Sequence, residues 1–429
     1  MEWLQNYDPL GNAWLSTLVA AVPIVVLLGL IAWLEVRIHI AALIGLAAAL
    51  VIALFVYRMP FSAAGATAIY GAAYGLFPIG WIILNLIFLY QLTVQRGLFA
   101  VLRSNLAGLA PDPRVQLVLI AFSFGAFFEG AAGFGTPVAV TAAILIQLGF
   151  KPLAASGLSL IANTAPVAFG ALGTPIIALS GVTGIPAETL GAMAGRQLPF
   201  FSVIIPFWVV GAFAGWKGMM AVWPAALVGG VAFAVPQFLV SNFHGPWLVD
   251  IVASITSILA LLALLKFWRP REIWKMEGAA PVETEKHPRE RIIQAWVPWA
   301  LLSLLVFIWG LPEMKNFLNR LSMPSMEVPG LHNLVQRVPP VAPPEALPEK
   351  AVFTFNWLSA TGTGILVSAI LAGFIMRFSV GEMVRVYLET LHRVRFSLIT
   401  IAALLALGYV TKYSGTDATL GLALAQTGV

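Results

Sequence analysis

Glu129 is the only charged residue between Arg114 and Lys151, and none at all stands between Lys151 and Glu188. A carboxylate in so apolar a stretch is costly unless it is paired or protonated. Such a group can alternate between its protonated and charged forms as its surroundings open and close, which is the chemistry that proton coupling needs. A structural alternative has Glu129 capping the turn at 131–135 through backbone N–H groups. Further on, Asn163 and Thr164 place an amide beside a hydroxyl, and together they can meet both the carboxylate and the 2-hydroxyl of a small hydroxy acid. Thr136, with Gly135 beside it, offers a third contact. The bland alternative is a polar cluster that satisfies broken backbone and nothing more. Arg196 stands just before an apolar run, where it either attracts an anion or anchors a helix end at the lipid headgroups.

Two motifs carry these residues: FGAFFEGAAGFGTPVAV over 124–140 and IANTAPVAFGALGTPIIAL over 161–179. Both are apolar enough for a bilayer, yet glycine, proline and small polar residues interrupt them. Non-helical backbone at membrane depth survives only where protein or a water-filled cavity satisfies its N–H and C=O groups. Helix breaks of this kind are where transporters bind solutes, with helix N-termini facing an anion. The spacing predicts a re-entrant hairpin, entering at Val115, turning near Gly130–Gly135 and leaving at Gly149. Two tilted full crossings joined by the glycine-rich segment would also return Lys151 to the starting side. The segment Pro152–Ser180 follows as a discontinuous helix, broken near Asn163–Pro166 and again near Gly173–Pro175, where the Gly-Thr-Pro of residues 135–137 recurs.

The whole chain has the composition of a protein dissolved in membrane lipid. Of 429 residues, 60% are hydrophobic and only 10% charged, against roughly 25% in soluble domains. Apolar runs long enough to span recur along its length. The net charge of +5 sits mainly in loops and calls for no nucleic-acid partner. The mixed-charge run Lys266–Arg291 balances its cations with glutamates and lacks interleaved aromatics, so it reads as a solvated linker. Cysteine is absent. His39, His244, His287, His332 and His392 have no metal-ligand spacing, and no Lys-Ser/Thr follows the glycines as a phosphate-binding loop requires. An enzyme, a metal site and a cofactor site therefore have no motif to rest on. A channel would accommodate broken helices but needs no opposed halves.

Organisation follows from the order of the apolar runs. Crossings are expected at Trp14–Leu34, Ala41–Val56 and Thr67–Leu92, then at Leu198–Ala214, Trp223–Val240 and Leu248–Leu265. Ala295–Gly310, Trp357–Met376 and Phe396–Thr411 complete the set, with Ser379–Arg395 as a cytoplasmic surface helix and the Pro-rich 311–353 as an external loop. Glu2 and Asp8 precede the first run, whereas Arg96, Arg103 and Arg114 follow the third, which puts the N-terminus outside. The first three crossings and the last three then run in opposite directions, and both third members carry tyrosine pairs, Tyr70/Tyr74 and Tyr409/Tyr413. This is the pattern of an inverted-repeat transporter, all-α and polytopic. Residues 1–188 form the first repeat, 189–265 connecting crossings, 266–294 a cytoplasmic linker and 295–429 a second repeat that lacks the matching hairpin.

The motif FGAFFEGAAGFGTPVAVTAAIL, the motif SLIANTAPVAFGALGTPI and the run Gly195–Phe200 resemble the bacterial L-lactate permease family. So do Gln5–Pro9 and Tyr413-Ser414-Gly415, and the likeness extends over essentially the whole chain. The resemblance implies a proton symporter that takes up L-lactate, D-lactate and glycolate across the inner membrane. It also implies a tail beyond Val429 that completes the second repeat. One departure is Lys412, where a neutral polar residue is expected; with Asp417 it can form a surface pair or alter ion coupling. A sodium-coupled carboxylate carrier is the rival reading, since free carbonyls suit sodium as well. Charge economy selects the substrate. Inside the stretch from Arg114 to Glu188 no Arg or Lys stands ready to clamp a second carboxylate, whereas helix-end N–H groups, Asn163 and Thr164 suffice for one. In competition against labelled L-lactate, glycolate and D-lactate should therefore displace it, and succinate and citrate should not. Displacement by succinate or citrate as effective as that by glycolate would refute a monocarboxylate site.

Overall fold

The computed structural model describes residues 2–107, 110–131, 136–274 and 287–426, without the side chains of residues 103, 105–107, 136 and 139. Where apolar residues run uninterrupted in a solvent without water, the backbone can satisfy itself only as helix. The chain accordingly folds as α1 (Ala13–Ala32), α2 (Ile38–Phe55), α3 (Phe61–Gln95), α4 (Leu98–Ala107) and α5 (Pro113–Ala131). Then come α6 (Thr136–Gln147), α7 (Pro152–Asn163), α8 (Gly170–Thr183), α9 (Ala187–Ala221), α10 (Trp223–Phe243) and α11 (Val249–Phe267). The last part holds α12 (Arg289–Gly310), α13 (Pro312–Leu321), α14 (Thr361–Ile375), α15 (Val380–Ser414) and α16 (Thr416–Ala425). Among the described residues, nine helices are long and apolar enough to cross a membrane, or up to ten if the bent pair α7 and α8 is one span. The protein is an all-α, multi-pass membrane protein. Trp14, Leu18, Val25 and Leu28 of α1 stay exposed, as an outer, lipid-facing helix requires.

Several elements differ from the pattern read in the sequence. The surface segment from Ser379 and the crossing after it are one unbroken 35-residue helix, α15. It opens on a capping box in which Ser379 and Glu382 satisfy each other's backbone N–H groups. Along its first turns Met383 is buried, whereas Val380, Val384 and Leu388 are exposed. Helix α9 also has 35 residues and is interrupted at Gly215, whose φ of +66° only glycine adopts freely. Helix α14 begins at Thr361, not at Trp357, because residues 357–360 turn to let Leu358 accept from the Trp309 indole at 3.0 Å. The Pro-rich segment holds α13 and a two-stranded antiparallel sheet, Ser325–Glu327 on Val352–Thr354. Trp3–Leu4 pairs in parallel with Val335–Gln336, so the N-terminus and this segment share one end of the molecule.

The two long helices α3 and α15 meet through small residues. A methyl group on Gly71 would lie 2.7 Å from the Ala406 Cα, and one on Gly75 2.9 Å from the Ala402 Cα. Glycines four apart opposite alanines four apart let two backbones touch, the packing that holds helices together in lipid. The tyrosine pairs come together as a consequence: Tyr409 stacks edge-on against Tyr70, ring centroids 4.9 Å apart, and lies 5.8 Å from Tyr74. Helix α14 packs on α3, where Asn85 donates to the Gly362 carbonyl at 3.0 Å. Helices α5 and α6 form a hairpin with unequal arms of 19 and 12 residues, Gly125 facing Thr141. Its outer ends return to the same end of α9, where Phe150 packs tilted on Phe213, ring centroids 4.9 Å apart, and Arg114 reaches Gly218. At about 28 Å the longer arm matches a hydrocarbon core.

A buried ion pair fastens the base of that hairpin. Asp112 caps α5, and both its oxygens accept from the Arg114 guanidinium, at 3.0 and 2.7 Å. Arg114 also donates to the Glu272 carbonyl at 2.8 Å, and the Trp274 N–H donates to Asp112 at 3.0 Å. The pair thereby pins the segment after α11 against the hairpin. Both residues are buried, so removal of one leaves the other uncompensated. Asp112→Ala should lower stability in detergent by about 3–5 kcal/mol, measured by denaturant unfolding; an unchanged midpoint would contradict the pair's burial.

Candidate functional site

Glu129 sits in the last turn of α5, on a helix whose Phe124, Phe127 and Phe128 are fully buried and pack on one another and on Trp299. It is itself 5% exposed. The Asn163 carboxamide faces it from the end of α7, yet Oε2 of Glu129 and Oδ1 of Asn163 both end without a hydrogen-bond partner. No ion pair reaches Glu129 among the described residues. The carboxyl is thus neither neutralised nor fully hydrogen-bonded. Its suggested capping of the turn at 131–135 falls on residues outside those described, as does Gly135; the side chain of Thr136, the first residue of α6, lies outside them too.

The broken helix folds against this carboxyl. Helix α7 stops at Asn163, and residues 164–169 make a turn and a short 3-10 segment before α8, with a bend of 68°. Helix α8 then begins with three consecutive left-handed residues, Ala171 (φ 44°), Leu172 (φ 55°) and Gly173 (φ 77°). For Ala171 and Leu172 that conformation costs roughly 1–2 kcal/mol each, a strain of the kind found at functional sites. Glycine is required on both sides of them. A methyl group on Gly170 would collide with Oε1 of Glu129, and one on Gly173 would lie 2.7 Å from the Pro246 carbonyl oxygen. The sequence-predicted breaks near Asn163 and Gly173 are both present. Thr164 is exposed, and its hydroxyl donates to the Ile161 carbonyl at 2.7 Å, so Asn163 faces Glu129 and Thr164 faces away.

Asp250 is the residue that sequence reasoning missed. It lies in the first turn of α11, 1% exposed, and neither carboxyl oxygen has a hydrogen-bond partner among the described residues. A methyl group on Gly130 would sit 2.8 Å from its Cβ, which places it beside the Glu129 turn, within reach of the Glu129 charge. An acid opening a helix ordinarily reads as a complement to the helix dipole. The available signal was its setting, Trp247-Leu248-Val249 before it and Ile251-Val252-Ala253 after it. The turn ahead of α11 is held down from outside. Lys315 stands 3.7 Å over the Trp247 ring and 3.8 Å from Glu188, and desolvation lowers its ammonium below the ordinary lysine range, partly offset by Glu188.

The other candidates lie apart. Arg196 is exposed on α9 and donates to the Asn242 side chain at 2.9 Å, away from Glu129. Lys412 is buried, not a surface partner of Asp417: it stands over the Tyr413 ring at 5.6 Å and points towards Gly184. Among the described residues no three His, Cys, Asp or Glu side chains group as a metal site.

Glu129 and the helix break lie in the two motifs that carry the family likeness, and the L-lactate permease family model matches residues 16–429. The chain belongs to that family. It is 45% identical to the glycolate permease GlcA of Escherichia coli (strain K12), over 100% of this chain and 80% of that protein. It is 43% identical to the L-lactate permease of the same strain, over 99% and 79%. It is also 43% identical to the L-lactate permease of Bacillus subtilis (strain 168), over 100% and 80%. No solved structure matches the chain. Members of this permease family are transporters and not enzymes. Within it, the contact of Gly170 with Glu129 is the most easily tested feature. Gly170→Ala should cut uptake at least about tenfold while costing only the 1–3 kcal/mol typical of overpacking, read as initial rates per amount of folded protein. Wild-type rates would mean that Glu129 does not need this space.

Proposed function

We propose that this protein takes up L-lactate across the bacterial inner membrane together with a proton, with D-lactate and glycolate as competing substrates. The observation that carries the reading is Glu129, buried, unneutralised and set against a strained helix break. A carboxyl in that setting is stable when protonated and costly when charged. Coupling follows if the site closes only with the proton aboard, because an anionic substrate and an anionic Glu129 would repel each other in a low-dielectric space. The relatives named for lactate and glycolate support a small monocarboxylate as the cargo.

Asn163 is the substrate-binding group this reading favours, since it faces Glu129 with an oxygen still unpartnered. Thr136 and Gly135 would complete the site from the hairpin tip, and Thr164 would act from the water-facing side of the break. Arg196, tied to Asn242, serves here as a helix anchor. The N-terminus and the Pro-rich segment lie outside the cell in this reading, and the two ends of the chain form opposed repeats whose third members, α3 and α15, pack through Gly71 and Gly75.

Reconstituted protein given an imposed proton gradient should accumulate L-lactate equally well with and without sodium. Glu129→Gln should abolish that accumulation and retain lactate exchange down its own gradient. Accumulation that persists in Glu129→Gln, or that follows sodium, would overturn proton coupling through this residue.

A further inference from the structure

Two carboxyls, not one, are buried at the helix break. Glu129 and Asp250 come from antiparallel elements, the end of α5 and the start of α11, and Gly130 packs directly on Asp250. Three of the four carboxyl oxygens, Oε2 of Glu129 and both of Asp250, are buried and lack a hydrogen-bond partner. The charged and titratable groups on the helices packed around them face other neighbours. Lys315 and Glu188 face each other over Trp247. His244 stacks on Phe307, ring centroids 4.9 Å apart, and its ring lies against Gly310, with both nitrogens unpartnered among the described residues. Arg196 is bonded to Asn242. Lys412 and the tyrosines around it lie past the far end of α8, roughly 15–20 Å along the helix from Gly170. Like charges side by side in a medium without a counter-ion cannot both ionise.

We infer that Asp250 is a second proton-carrying residue of the transport site, neutral together with Glu129 in the conformation described. The inference rests on the coupling role proposed for Glu129. In balanced form, each carboxylate takes a proton from a hydronium at the open face, forming one O–H bond and releasing one water. Each O–H bond breaks again when the site opens to the less acidic side. The closed conformation therefore demands two protonations, whichever of them is exchanged on a given cycle. A dipole-complementing or purely structural acid would instead be ionised and hydrogen-bonded to the free N–H groups of its helix, and Asp250 accepts from none.

The experiment is the pH dependence of L-lactate exchange in liposomes, with the same pH on both sides. For the wild type, the logarithm of the rate should fall on the alkaline limb with a slope approaching two per pH unit. Asp250→Asn, neutral at every pH, should reduce that slope to about one, and Asp250→Glu should restore it; Asp250→Ser replaces the amide variant if that one does not fold. A wild-type slope of one, or an unchanged slope in Asp250→Asn, overturns the inference even if Glu129→Gln loses proton-driven accumulation. Persistence of accumulation in Glu129→Gln instead removes the reading on which the inference stands.

Discussion

A buried carboxyl that, among the described residues, has no cation beside it and one oxygen without a donor is the constraint to which the rest of the structure answers. Glu129 cannot be treated as an ordinary surface acid or as half of an ion pair. Its neighbours are shaped to leave it room: Gly170 lacks a side chain where one would strike Oε1, and Ala171 and Leu172 adopt left-handed backbone to turn α8 away. That turn is held by Gly173 against the Pro246 carbonyl, and the Pro246 loop leads within four residues to Asp250. Strain, glycine placement and uncompensated acid are thus one arrangement.

The scaffold handles the buried polar groups at the base of the hairpin and on α10 in the opposite way. At the base of the hairpin, Asp112 and Arg114 are as deeply buried as Glu129, but they neutralise each other, and Arg114 also donates to the Gly218 and Glu272 carbonyls. Gln237 is satisfied by Ser202 at 2.7 Å and reaches the Ala165 carbonyl at 3.4 Å, bracing the broken segment from α10. A chain able to satisfy those groups leaves Glu129, Asp250 and Asn163 unsatisfied together in one place. Buried polar groups without partners are expensive, and their concentration at a break supports a site built for something that comes and goes.

Packing between distant segments explains how such a site can be held rigidly and still be released. Helix α3 meets α15 backbone to backbone through Gly71 and Gly75, and α5 lies along α11. These contacts rely on small residues and shape, not on long polar side chains, so they add little unsatisfied surface when helices shift. Lys315 of α13 stands over Trp247, just ahead of α11, and holds that turn in place.

Much of this was legible in the chain itself. Hydropathy determined the membrane class and most crossings, because a backbone in lipid has few alternatives to helix. Glu129 stood out because a lone charge in an apolar stretch is costly wherever it folds, and the breaks at Asn163 and Gly173 were marked by proline and glycine, whose effects are local. Continuity of α15 was hidden by charges that suggested a surface helix, although nothing in Arg393–Phe396 breaks a helix. The pairing of Asp112 with Arg114, the union of four tyrosines and the splitting of Asn163 from Thr164 required the fold, since each depends on a rotation or a neighbour that no local pattern encodes. Asp250 is the plainest case. In sequence it is an acid at the start of a helix, which usually means water and a dipole. Only the tertiary structure, by bringing Gly130 against it and removing every donor, turned it into a buried partner of Glu129.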